Sequence, residues 1–129
     1  MLALEVLRKS NAELRTVEAL VWHLSYFKNL DSTWLVAQAK LRNLQNRLGF
    51  LASLANELTP QPHLQVLLHQ LEPARLAALH TLCNDAMPSA FRRHLLKDNR
   101  PHLAQHWNLL TNLQTDRLNR SYFIHGTTH

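Results

Sequence analysis

Glycine, cysteine, valine and isoleucine are scarce in this chain of 129 residues. The two glycines, Gly49 and Gly126, leave no glycine-rich loop to bind phosphate groups and few positions for hairpin turns. The single cysteine, Cys83, excludes a disulfide within the chain and disfavours a secreted, cross-linked scaffold. Because strands are rich in β-branched residues, this composition favours an all-α fold.

Long apolar segments are also absent. No run reaches the roughly 18 apolar residues that a membrane-spanning helix needs, so the sequence predicts no membrane partner. At the N-terminus, Glu5 precedes the first basic residue and no small-residue cleavage site follows, which disfavours an export signal. We therefore expect a cytoplasmic protein.

The sequence contains no cluster of residues that is typical of an enzyme. The nine acidic residues are dispersed, and no two of them lie three or four positions apart, as a dicarboxylate site on a helix requires. His102 and His106 have the spacing of helical metal ligands, but no carboxylate lies next to either. We expect Cys83 to be a buried, inert thiol. The sequence thus predicts no catalytic residue, no metal and no cofactor.

The strongest pattern that is present is an apolar residue at every third or fourth position from Trp34 to Leu58. Such spacing keeps one narrow stripe of a helix against a neighbouring helix over about seven turns. It predicts a single long helix, whose partner is either another helix of this chain or a second copy. The stripe consists of Trp34, Ala37, Leu41, Leu44, Leu48, Leu51, Ala55 and Leu58.

A first long helix is predicted from about Ala3 to Asn29, with its inner face formed by leucines and valines. Asp31 or Ser32 can accept hydrogen bonds from the free amides of the second helix, which places a tight turn between two antiparallel helices. The fold class is therefore an all-α antiparallel bundle with two long N-terminal helices and shorter C-terminal helices. Residues 1–125 form one domain, and 126–129 form a flexible tail.

Prolines divide the second half of the chain into shorter helices. After a break at Thr59–Pro62, a third helix carries Leu64, Leu67, Leu68 and Leu71 inward. Pro73 either kinks this helix or starts another one that bears Leu76, Leu79 and Leu82. Ser89 can cap a short helix, and Pro101 begins a last helix that continues through Trp107 to about Ile124.

Basic residues outnumber acidic ones by 14 to 9, and no acidic residue lies between Asp31 and Glu57. Guanidinium and ammonium groups that are close together can contact successive phosphates and release counterions. If the cationic groups converge in the fold, they form a groove for a nucleic-acid backbone; if they scatter, they are solvated surface. The candidate nucleic-acid-binding residues are Lys40, Arg42 and Arg47, then Arg92, Arg93, Lys97 and Arg100, then Arg117 and Arg120.

Aromatic residues are concentrated around the turn between the first two helices: Trp22, Tyr26, Phe27 and Trp34. We expect these rings to pack together and close one end of the bundle. A platform on which bases stack would instead require the rings to be exposed beside basic residues. Near the tail, Tyr122 and Phe123 are candidates for contact with a base or a protein.

The segment Arg120-Ser121-Tyr122-Phe123-Ile124-His125-Gly126 has an arginine and a histidine separated by four residues. It resembles the signature of the HEPN family, which comprises helical-bundle ribonucleases and RNA-binding modules. The resemblance implies that Arg120 holds the scissile phosphate and that His125 acts in proton transfer, in a cleft at a dimer interface.

Three functions remain open from the sequence. The first is a small, basic, non-enzymatic accessory protein that binds a nucleic-acid backbone non-specifically, together with other protein subunits. Its profile is similar to that of the small helical subunits of CRISPR effector complexes. The second is a helical protein-interaction module or chaperone that uses the heptad stripe and can form homo-oligomers. The third is a HEPN-like ribonuclease.

Overall fold

The structure is a computed structural model that describes residues 14–81, 100–111 and 113. Two-residue strands β1 (His80–Thr81) and β2 (Leu109–Leu110) pair in parallel. The fold is mostly helical with almost no strand, which confirms the all-α prediction. Within these residues, no helix combines the length and the apolarity that crossing a bilayer requires. The helices are α1 (Leu14–Tyr26), α2 (Ser32–Leu41), α3 (Gln45–Leu58), α4 (Pro62–Leu71) and α5 (His102–His106).

Asp31 caps α2 as predicted. Its Oδ1 accepts a hydrogen bond from the backbone N–H of Trp34 at 3.0 Å, which satisfies one of the free amides of the first turn. The preceding helix, α1, ends at Tyr26, and it buries Val17, Val21 and Leu24. Residues 1–13 of the predicted first helix lie outside the described residues.

The predicted single helix from Trp34 to Leu58 is wrong, because the chain turns at Asn43 and forms two helices. Asn43 has a φ of 55°, in the left-handed region that asparagine tolerates better than most residues. The N–H of Leu44 donates to the Ala39 carbonyl at 2.9 Å, and the N–H of Asn43 donates to the Lys40 carbonyl at 3.3 Å. These two bonds form a Schellman motif, which ends α2.

The two halves of the apolar stripe consequently have different environments. On α3, Leu44, at its start, and then Leu48, Leu51 and Ala55 are buried. On α2, Trp34 and Leu41 face solvent, because that helix turns Leu35, Val36 and Ala39 inward instead. The stripe predicted the core face of α3 correctly and that of α2 incorrectly.

α3 is the central helix of the described fold. Its residues from Leu48 to Ala55 are all buried, and α1, α4 and α5 pack against it.

α4 begins at Pro62. The fixed φ of proline suits the first helical turn, and the N–H that proline lacks would have no partner within the helix at this position. α4 buries Leu64, Leu67 and Leu71 as predicted, and His63 Nε2–H donates to the Leu24 carbonyl at 2.7 Å.

One predicted helix of the second half does not form in the described segments, and another is shorter than predicted. Pro73 lies in a 3₁₀ turn (Glu72–Ala74), and the chain then continues through the extended residue Arg75 towards β1 rather than as a helix. α5 ends at His106 instead of continuing to about Ile124, because Asn108 adopts a φ of 52° and directs the chain into β2. The predicted Ser89 helix and the tail lie outside the described residues.

Candidate nucleic-acid interface

Four rings form two parallel pairs at the C-terminal end of α1. The rings of Trp22 and Tyr26 are stacked, with centroids 5.2 Å apart and planes at 12°. His23 and Phe27 are stacked with the same separation and an angle of 15°. Members of each pair are four positions apart and so lie one above the other on the helix surface. The Phe27 N–H still donates to the His23 carbonyl at 2.9 Å, which continues the helical geometry beyond Tyr26.

Three of the aromatic side chains that we expected in the core are on the surface. Tyr26 is 69% exposed, and Phe27 and Trp34 are each 46% exposed. The prediction that these rings close one end of the bundle is therefore wrong for Tyr26, Phe27 and Trp34. The physical reason is that α1 fills the core with Val17, Val21 and Leu24, which lie on a different side of the helix.

Two lysines are exposed in this part of the chain, one between α1 and α2 and one near the end of α2. Lys28 follows Phe27 directly, Lys40 is on the exposed side of α2, and both side chains face solvent. Within the part of the chain that the structure describes, neither ammonium group makes an ion pair or a hydrogen bond. Sequence reasoning identified Lys40 but missed Lys28, which belongs to no basic cluster; its position directly after two aromatic residues was the available signal. We call Tyr26, Phe27, Lys28, Trp34 and Lys40 the α1–α2 surface.

The acidic groups of the described segments are used within the fold. Asp31 caps α2, and Glu18 is buried with only 5% exposure. Glu72 lies 2.6 Å from His106 Nε2 and 3.3 Å from Arg75 Nε. Glu57 lies 3.5 Å from His102 Nε2. None of these carboxylates forms an ion pair with Lys28 or Lys40, so both ammonium groups of the α1–α2 surface lack a paired carboxylate among the described residues.

The predicted arginines on α2 and α3 are partly engaged. Arg42 Nη1 donates to the backbone carbonyl of Gln38 at 3.1 Å and to its Oε1 at 2.7 Å, which holds the guanidinium along α2. Arg47 is half-buried on α3, and burial lowers the pKa of its guanidinium. Lys40 and Arg47 do not lie on one helix, as the predicted helix from Trp34 to Leu58 required, because the turn at Asn43 separates them.

Of the remaining candidate nucleic-acid-binding residues, the structure describes only Arg100. Arg100 Nη1 donates to the Leu109 carbonyl at 2.9 Å and so connects the start of α5 to β2. Whether the cationic groups converge stays a prediction. The other predicted residues, Arg92, Arg93, Lys97, Arg117 and Arg120, lie outside the described residues, as does His125.

A contrasting site lies where the chain after α4 and the α5 segment meet α3. Asn46 is completely buried; its Nδ2 donates to the Leu76 carbonyl at 2.9 Å, and its Oδ1 accepts from the Leu76 N–H at 2.7 Å. Asn108 Nδ2 donates to the same carbonyl at 2.7 Å. The two asparagines thus hold the backbone of Leu76 as a neighbouring strand would.

Trp107 is completely buried at the same place. Its Nε1–H donates to Ser53 Oγ at 2.9 Å, and its ring lies directly over Gly49. A Cβ atom at Gly49 would overlap the ring, so the glycine permits close contact between the indole and α3. Sequence reasoning placed Trp107 on the last helix but did not predict this contact; the glycine within a helical pattern was the available signal for close approach. We call Asn46, Gly49, Ser53, Leu76 and Trp107 the α3–α5 junction.

His102 and His106, which have metal-ligand spacing, contact two different carboxylates. His102 is paired with Glu57 and His106 with Glu72. Among the described residues, no three histidine, cysteine or acidic side chains are grouped so that they could hold a metal ion. The His106–Glu72 contact and the bond from Arg75 Nη1 to the His106 carbonyl at 2.9 Å connect the turn after α4 to α5.

Comparisons with protein-family models, with curated proteins and with solved structures find no match to this chain. The features that point to a function are then the two ring pairs, the two lysines without partners and the carboxylates that are used within the fold.

Proposed function

We propose that this protein is a non-enzymatic helical bundle that binds the backbone of a nucleic acid without reading its sequence, as a subunit of a larger nucleoprotein assembly. One observation carries the proposal. The described carboxylates cap a helix, contact histidine or arginine, or are buried, whereas Lys28 and Lys40 face solvent without a partner. With a net charge of +5, the chain has the sign of charge that an anionic polymer requires.

Lysine suits non-specific binding for a physical reason. Its ammonium group is a compact charge on a flexible stem, so it attracts a phosphate without fixing one geometry. Each contact releases counterions condensed on the nucleic acid, which makes the affinity depend steeply on salt. Arg42 can add a contact, because the bonds to Gln38 involve only one of its guanidinium nitrogens.

The experiment is fluorescence anisotropy of the full chain with labelled DNA and RNA, as single strands and as duplexes, at about 50 and 200 mM salt. The variant Lys28→Gln/Lys40→Gln should bind more weakly than wild type at both salt concentrations. Gln65→Glu/Val66→Glu is the matched control, because it lowers the net charge by the same amount on the exposed side of α4.

Equal losses in the two variants would mean that overall charge, rather than the α1–α2 surface, controls binding. Absence of any binding at about 50 mM salt would contradict the proposed function.

A second candidate function is supported by the exposed half of the apolar stripe. Trp34, Ala37 and Leu41 recur at heptad spacing and all face solvent on α2, with Leu41 exposed by 77%. Such a stripe can pack against a helix of a partner, including a second copy of this chain. Sedimentation equilibrium tests it: wild type should self-associate and Trp34→Ala/Leu41→Ser should not. A monomeric wild type would remove the homo-oligomeric form of this candidate.

A further inference from the structure

We infer that the nucleic acid bound by the α1–α2 surface is single-stranded, with bases stacked on the rings of Tyr26 and Phe27. This inference rests on the proposed function and specifies the class of nucleic acid. Two ring pairs lie at one end of α1, and in each pair the outer ring is largely exposed.

In each pair, the inner ring stacks on one face of the outer ring, and the outer ring still has exposed area. Trp22 covers one face of Tyr26, so the 69% exposure of Tyr26 includes the opposite face. His23 covers one face of Phe27, which is nevertheless 46% exposed. Because the rings within each pair are nearly parallel, a base can extend the stack as a third planar group. Each outer ring is also held in place by its inner neighbour, which reduces the entropy that binding would cost.

Single-stranded nucleic acid offers what these rings accept. In a duplex the faces of the bases are already stacked on one another, whereas an unpaired strand can present them to aromatic side chains. Stacking also tolerates any sequence, since every base has a π-face. Stacking therefore agrees with the proposed function, in which binding does not depend on the base sequence.

The charges around the rings favour an anionic strand over an acidic or neutral partner. Lys28 directly follows Phe27 and is exposed. The carboxylate of α1, Glu18, is buried, and the next one along the chain, Asp31, accepts the Trp34 N–H as a helix cap. Phosphates next to a base stacked on Phe27 would therefore meet the Lys28 ammonium group.

Among the described residues, Tyr26 and Phe27 lie outside the buried cluster, which α1 joins through Val17, Val21 and Leu24. Their exposed area is therefore available to a ligand.

The test is anisotropy with a labelled single strand and a duplex of equal length, using wild type and Tyr26→Ala/Phe27→Ala. We expect the variant to bind the single strand at least about 10-fold more weakly, with little change for the duplex. The slope of affinity against salt should stay the same, because the variant removes no charge. Val66→Ala is the matched control, since Val66 is also apolar and 50% exposed but lies on α4; it should bind as wild type does.

Tyr26→Leu/Phe27→Leu separates stacking from simple apolar contact. Leucine keeps apolar area and helix propensity but has no π-face, so this variant should lose single-strand affinity as the alanine variant does. Wild-type single-strand affinity in the leucine variant would overturn the inference, because apolar contact without a π-face would then be sufficient. Equal binding of single strand and duplex by wild type, unchanged in both variants, would overturn the inference and leave the proposed function intact. Absence of binding to either nucleic acid would overturn both.

Discussion

The α3–α5 junction and the α1–α2 surface use polar and aromatic residues in opposite ways. At the junction, Trp107 is buried and its N–H is bonded to Ser53, and Asn46 satisfies both backbone groups of Leu76. On the surface, Tyr26 and Phe27 are exposed, and the ammonium groups of Lys28 and Lys40 form no hydrogen bond or ion pair with a described residue. Groups whose bonding capacity is used within the fold stabilise it, whereas groups left to solvent are available to a ligand. The comparison predicts that junction variants change stability and that surface variants change binding.

Trp107→Ala should have the largest effect on stability. Removing a completely buried indole leaves a cavity against Gly49 and an unpaired hydroxyl at Ser53. We expect a loss of about 3–5 kcal/mol in the free energy of unfolding. Urea denaturation, monitored by circular dichroism, measures this free energy. A loss below about 1 kcal/mol would mean that the α5 segment contributes little to the core.

Gly49→Ala tests the close contact from the other side. The added methyl group would overlap the Trp107 ring, and the cost of overpacking is about 1–3 kcal/mol even though alanine favours the helix. Denaturation of Gly49→Ala, Trp107→Leu and the combined variant measures the coupling. We expect the two losses to be less than additive, because leucine gives the methyl group room. Strict additivity would show that the two residues do not contact each other.

Asn46→Ala should have the smallest of the three effects. It removes two hydrogen bonds to the backbone of the half-buried Leu76. The Leu76 carbonyl still accepts a hydrogen bond from Asn108. We expect a loss of about 1–2 kcal/mol in the free energy of unfolding. Asn46→Asp keeps an acceptor for the Leu76 N–H but places a carboxylate oxygen against the Leu76 carbonyl in a completely buried position, so a thermal melt at neutral pH should show it to be less stable than Asn46→Ala. Stability equal to or above that of Asn46→Ala would contradict the burial of this side chain.

The features that were predictable from the sequence depend on a few neighbouring residues. The cap at Asp31 involves an atom three residues away, and Pro62 suits a first helical turn through its own φ angle. The break at Asn43 is also local, but the apolar stripe continues through it, and nothing in that spacing detects a left-handed residue. Glycine is the usual sequence signal for the end of a helix, but a Schellman motif can also form at asparagine. Because this chain has only two glycines, the end of α2 at Asn43 carries no glycine signal.

The candidate site was less predictable because burial is not a local property. Whether Tyr26 and Phe27 are covered depends on which elements pack near the end of α1, and the sequence does not specify those contacts. Lys40 was predicted from the lack of acidic residues around it, and the structure places it on the surface. Lys28 became a candidate only when the exposure of the neighbouring rings was known.

The most direct test of the comparison is the salt dependence of single-strand binding by wild type and Lys28→Gln/Lys40→Gln, combined with urea denaturation of both. If both lysines contact phosphates, the slope of log affinity against log salt should become shallower by about 1.4, at about 0.7 per contact. The free energy of unfolding should stay within about 0.5 kcal/mol, because the two side chains are exposed. An unchanged slope, or a loss of binding that follows a loss of stability, would contradict the assignment of the α1–α2 surface as the binding site.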